Sequence, residues 1–318
     1  LRCYRDLQGG AATELARRQQ HLLIGPWLHL MPLPDAAGEA YFGPNASGDA
    51  VDYHGMILSW YDHWLKGEEN GVGTDPRVYL FVMGRNVWRA EEGWPLARAQ
   101  EVRYYLHGRG RANTLNGDGT LSTQPPGGEP PDRFLYDPRH PVPTSGGAYL
   151  SGIPGVFPTG SRDQRAVEAR EDVLVYTSPP LERDTEVTGP VTLRLWAATS
   201  ARDTDWTAKL VDVHPDGRAM GLCDGVVRAR YRASLERPAL LQPGDVYEYT
   251  LDLGATSHVF FRGHRIRLEV SSSNFPALDR NLNTGGPFGE EAEGIPAVQT
   301  VLHDDLHPSH LVLPVVPE

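Results

Sequence analysis

The sequence predicts two textures in series: a segment mixing helix and strand over residues 1–100, then an all-β sandwich over residues 101–318. Three observations predict this. Up to about Gln100, apolar residues recur at both helical and strand spacing. Beyond it come short alternating runs with hardly any helical period, among them "VRYYLHG", "DVLVYTS", "VTLRLWAAT", "TAKLVDV", "VVRARYRA", "VYEYTLDL", "RIRLEVSS" and "HLVLPVV". Between the runs stand the turn sequences "NGDG", "HPDG", "QPGD" and "FRGH", and many short strands separated by such turns build a sandwich. The 34 Gly and 27 Pro agree with frequent turns, and 318 residues fit roughly two domains.

"LRCYRDLQGGAATELARRQQ" reads as a helix already under way at Leu1, so the chain is expected to begin inside a domain. "HLLIG" is an apolar run closed by Gly25-Pro26, the pattern of a buried strand ending in a turn. "AVDYHGMILSWYDHWLKG" is a helix whose Met56, Ile57, Trp60, Tyr61, Trp64 and Leu65 share one stripe, with Gly67 placed as its C-terminal cap. Aromatics at helical spacing usually face a core, and that is the expectation for Trp60, Tyr61 and Trp64. "PRVYLFVMG" is a second strand, and "NVWRAEEGWP" closes the segment. The stretch from Asn113 to Asp163 is rich in Gly and Pro and is expected to be a long irregular connection that is functional or wraps a neighbour.

The net charge is −11, with acids dispersed except at Glu290-Glu291-Ala292-Glu293. This argues against nucleic acid or an anionic membrane as the main partner, since both need a basic face. No run approaches the roughly 18 apolar residues of a membrane-spanning helix. Cys3 and Cys223 supply neither a disulfide framework nor a zinc pattern. No signal-peptide pattern opens the chain, and the cytoplasm is the default expectation for a compartment that no feature fixes.

No serine has glycine both two before and two after it, as the Gly-x-Ser-x-Gly elbow requires; Ser145 has only the second. "HDDLHPSH" gathers His303, Asp304, Asp305, His307 and His310, all valid metal ligands. Pro308 breaks the helix that would align them, so an exposed turn between the last two strands is expected and no metal is assigned. Asp203 and Asp205 in "DTDW" could work as an acid–base pair, but a turn into the next strand is the preferred reading. His29, two residues past Trp27 in "IGPWLH", remains as a candidate catalytic histidine.

"LLIGPWLH", "WYDHWLKGEENGV", "VYLFVMGRNVWRAEEGWP", "YDPRHPVPTSGG", "REDVLVYTSPPLERDTEVTGPV", "DTDWTAKLVDVHPDGRAM", "VVRARYR" and "SHVFFRGHRIRLEVSSSNFPALDRNLNTGG" occur in order over nearly the whole chain. In these the sequence resembles the CocE/NonD serine hydrolases, a group with acyl esterases and Xaa-Pro dipeptidyl-peptidases. The resemblance implies the C-terminal part of an α/β-hydrolase domain over residues 1–100 and a jelly-roll sandwich of galactose-binding-like type over 101–318. It implies that His29 is the histidine of a Ser-Asp-His triad whose serine and acid are expected upstream of Leu1; Asp6 is disfavoured as the acid. It also implies a small-molecule ester or amide substrate contacted by Trp27, Tyr149 and Leu150, with no cofactor. By itself this chain is expected to be inactive, and self-association is expected of strands and an apolar stripe stripped of cover. The competing expectation is a non-catalytic β-sandwich binding module, for instance for carbohydrate, since fold does not fix function.

Overall fold

A computed structural model describes residues 1–29, 33–149 and 158–317. The chain opens with α1 (Arg2–Gly10) and α2 (Glu14–Arg18), the latter capped by the Thr13 hydroxyl, which accepts from the Ala16 amide at 3.1 Å. Then come β1 (Leu22–Ile24), the two-residue strands β2 (Ala36–Ala37) and β3 (Ala40–Tyr41), and α3 (Tyr53–Tyr61). β4 (Val78–Val82) and β5 (Val87–Glu91) follow. β1 pairs parallel with β4, which pairs antiparallel with β5.

The remainder is mostly strand. In order these are β6 (Gln100–His107), β7 (Thr120–Ser122), β8 (Asp132–Tyr136), the short helix α4 (Arg165–Glu168), β9 (Leu174–Thr177), β10 (Thr185–Thr199), β11 (Asp205–Val213), β12 (Ala219–Arg228), β13 (Tyr247–Phe260), β14 (Arg265–Ser271), β15 (Ala297–Leu302) and β16 (His310–Val316). They join in the order β12-β11-β14-β9-β7-β6-β16-β10-β15-β8, with β13 on the other edge of β10. The ribbon folds over, so that Leu210 and Leu268 from one half share a single buried cluster with Leu193, Leu195, Leu251 and Leu311 from the other. Alternation makes this possible: β13 buries Tyr249, Leu251 and Leu253 and exposes the residues between. Trp206 is fully buried at the centre, edge-on to Phe134 at 6.4 Å and tilted against Tyr249 at 5.9 Å.

The first segment is joined to the sandwich by a shared core and by backbone. Val78, Leu80 and Val82 of β4 pack with Val259 and Val316. The Met83 amide donates to Ser257 O and the Val259 amide to Met83 O, both at 2.9 Å. Arg89 on β5 grips Glu186 on β10 with two nitrogens, at 2.8 and 2.6 Å, the forked geometry of a strong ion pair.

Several expectations are corrected. β1 is half-buried rather than buried. The helix stripe is only partly covered: Trp60 and Trp64 are half-buried, whereas Leu65 is 76% exposed and Met56, Ile57 and Tyr61 face solvent, so Tyr61 is not in a core while the stripe is short of cover as expected. The helix does end where expected, running on as a π-helical turn to Lys66 and closing on Gly67 at φ 76°. The stretch from Asn113 to Asp163 is not irregular throughout, because it supplies β7 and β8.

Polar burial under the sandwich has a pH consequence. The carboxyl of Glu168 is fully buried at the end of α4, where Arg267 donates to it at 2.6 Å. Burial, reinforced by the neighbouring Glu269 charge, pushes it up to about 8. The folded state therefore holds a proton that the unfolded chain gives up in the ordinary carboxylate range. Stability from this group is complete at and below that range and declines as pH rises toward 8. Urea unfolding between about pH 5 and 8 is expected to show a decline of up to about 4 kcal/mol, about 1.4 kcal/mol per pH unit. Glu168→Gln should flatten it, and an unchanged slope in that variant would show that other groups cause the decline.

Candidate functional site

A cleft of about 530 Å³ separates the first segment from the sandwich. One wall is the turn after β1, Gly25 to Leu28, with Ala37 and Ala40 beside it; the other is the β11–β12 hairpin, with Lys209, Asp212, Met220 and Asp224. Gly146 and Gly147 form part of the rim.

Trp27 is held rather than free. Its indole nitrogen donates to Ala46 O at 2.6 Å, and its ring packs against Trp88 at 5.5 Å and Tyr53 at 6.3 Å. It folds back so closely over Gly25 that a Cβ there would stand 2.5 Å from the ring, which is why this strand must end on glycine. Trp27 thus both packs beneath the turn and presents a face to the cleft. His29 follows it, exposed, and makes no hydrogen bond or ion pair among the described residues. β1 runs parallel to β4, so this turn leaves the carboxyl end of a parallel strand.

The Tyr149 hydroxyl donates to the Asp224 carboxylate, and Asn274 Nδ2 donates to both groups at 3.1 Å. Burial, then the Asp224 charge, push the phenol far above its usual range, so it stays a neutral donor. Leu150, the other residue expected here, lies outside the described residues. Cys223 also lines the cleft, but burial pushes its thiol well up, away from the reactive thiolate. Both cysteines are free.

The two other clusters singled out in the sequence resolve into pairs. His303 is fully buried, not in an exposed turn, and bonds Asp132 at 2.8 Å. His307 bonds Asp304 at 3.0 Å, and His310 Nδ1 lies 2.7 Å from Pro308 O. Asp203 and Asp205 are buried rather than in a turn, since β11 begins at Asp205; Arg230 and Arg228 neutralise them, and Asn281 Nδ2 bridges the two. Neither carboxylate reaches the cleft lining.

One cluster on the cleft wall escaped the sequence reading. Asp212 meets His258, His264 and His214. Burial pushes its carboxyl up, but the bonds and charges of His258 and His264 outweigh this and hold it below the usual range. The only sequence signal was the pair of motifs "VDVHPDG" and "SHVFFRGHR", separated by 46 to 52 residues across the bonds they make.

A sandwich sharing a core and a cleft with a short parallel-paired segment defines an accessory β domain tied to a second body of structure. The family described as the X-Pro dipeptidyl-peptidase C-terminal non-catalytic domain matches residues 70–312. The chain belongs to that family, in the form carried by the CocE/NonD hydrolases. It is 46% identical over 297 residues to the cocaine esterase of Rhodococcus sp. (strain MB1 Bresler), covering 93% of this chain and 51% of that protein. Among solved structures it is similar to an aminopeptidase from a marine sediment Thaumarchaeota archaeon, with TM-score 0.80 at 28% identity over 94% of this chain and 49% of the other. An α-amino acid ester hydrolase gives TM-score 0.76 at 27% identity over 93% of this chain and 50% of the other. The chain spans about half the length of the relatives it matches. Among the described residues no helix is long and apolar enough to cross a membrane.

Proposed function

We propose that this chain is the C-terminal portion of a serine hydrolase that cleaves ester or amide bonds of small acyl substrates. In this reading residues 1–100 are the closing part of an α/β-hydrolase domain and residues 101–318 a jelly roll that walls the substrate cleft. The observation that carries it is the turn Gly25 to Leu28: it leaves the carboxyl end of a parallel strand and lines the cleft, and the exposed His29 comes next in the chain, the position where sites in open α/β sheets lie. His29 acts as general base, taking the proton of a serine and returning it to the leaving group. Trp27 supplies an apolar wall, and Tyr149, whose one hydroxyl hydrogen is given to Asp224, supplies an aromatic ring next to the Gly147–Ala148 side of the cleft. Esterase and peptidase names among the relatives support the bond class.

No serine in this chain occupies a nucleophile elbow. A fluorophosphonate probe is therefore expected not to label the 318-residue chain, and to label the complete polypeptide at a serine outside it. Stoichiometric labelling of any serine within residues 1–318, mapped by mass spectrometry, would overturn the proposal.

A further inference from the structure

The cleft wall holds a histidine cluster that the proposed hydrolysis does not use. β11 and β14 pair antiparallel with Val213 opposite Arg265. The residues one step beyond this pair, His214 and His264, are therefore brought side by side, with ring centroids 4.4 Å apart. Asp212, one step back on β11, turns its carboxylate toward both. Oδ1 lies 2.9 Å from His264 Nδ1, and Oδ2 lies 3.8 Å from His214 Nε2. From β13, His258 Nε2 lies 2.9 Å from the same Oδ2.

We propose that Asp212, His214 and His264 bind one divalent cation of the zinc class, with His258 holding the carboxylate from behind. Their ligand atoms all lie within 4.8 Å of one another. Zinc takes ligands at about 2.0–2.2 Å, so tetrahedral neighbours stand about 3.3 Å apart, and the separations from Asp212 Oδ2, 3.1 Å to His264 Nδ1 and 3.8 Å to His214 Nε2, fall on either side of that value. Two imidazoles with one carboxylate favour zinc, cobalt or nickel over magnesium or calcium. A hydrogen bond from outside to the ligating carboxylate is the usual support for such a site, and His258 provides it.

A purely hydrogen-bonded cluster accounts for two of these histidines and not the third. At 3.8 Å His214 is beyond hydrogen-bond range of Asp212, and its imidazole makes no other hydrogen bond among the described residues. Its side chain is 27% exposed and lines the cleft, giving a cation an access route and leaving a coordination position open to a ligand there. Asp212, at 2%, is sealed beneath it.

The test is calorimetric titration of the chelator-stripped protein with Zn²⁺, with the visible spectrum of Co²⁺ as a second readout. One equivalent of either ion should bind, and Co²⁺ should show the intense bands of a low-coordinate site. His258→Gln should weaken binding about 10- to 100-fold. His214→Gln should abolish it, while His214→Cys, which keeps a zinc-binding ligand, should restore it. His307→Gln, at the β15–β16 turn, should leave it unchanged. Failure of the unaltered protein to bind either ion would overturn the site, as would undiminished binding in a folded His214→Gln protein.

Discussion

His29→Ala is expected to lower kcat of the proposed hydrolase on a simple aryl ester by about 10⁴-fold, with KM and the circular dichroism spectrum little changed. The size follows from the role proposed for it. A general base that both removes the nucleophile's proton and supplies the leaving group's is needed in each half of the reaction. The exposed position of His29 makes the experiment clean, because nothing among the described residues leans on the imidazole and its loss opens no cavity. Turnover within a few-fold of the unaltered enzyme would reduce His29 to a loop residue and leave the Gly25–Leu28 turn without a chemical purpose.

The second large effect lies far from the cleft. Asp203→Ala should destabilise the protein by about 3–5 kcal/mol in urea unfolding, the cost of orphaning a buried charge. Asp203 is fully buried, with Oδ1 accepting from the Arg230 amide at 2.9 Å. Oδ2 accepts from Arg230 Nε at 2.7 Å and from Asn281 Nδ2 at 2.9 Å. Removing it leaves a guanidinium that is 16% exposed facing an amide whose remaining carboxylate is Asp205. A cost below about 1 kcal/mol, the level of a surface pair, would show that water reaches Arg230 once the carboxylate is gone.

These two sites show what could be read from the residues and what could not. The strands after Gln100 were legible because alternation and turn chemistry are local, and so was the end of α3 at Gly67. Burial was not. Periodicity puts Met56, Ile57 and Leu65 on one side of a helix but says nothing about what covers that side. The acids at 203 and 205 gave only their own spacing. Their partners Arg228 and Arg230 carry the same two-residue spacing, and the register that sets Asp205 opposite Arg228 turns one into the complement of the other. The histidines at 214 and 264 are neighbours for the same reason: strand pairing, not sequence distance, joins them. His29 could be singled out because its motif is contiguous. Tyr149 could be singled out from its local motif, whereas its tie to Asp224 and Asn274 spans 75 and 125 residues.

The position of β16 bears on how the molecule is made. This strand, the last of the sandwich in sequence, lies between β6, the first, and β10 from the middle. A ribosome therefore delivers both neighbours long before it delivers the strand that joins them. Until residues 310–316 have emerged, β6 and β10 each hold out a row of unmatched amides and carbonyls to any other chain nearby. Translation, not local propensity, sets the moment at which this sandwich can close, and the wait before that moment is when the nascent protein most needs a chaperone.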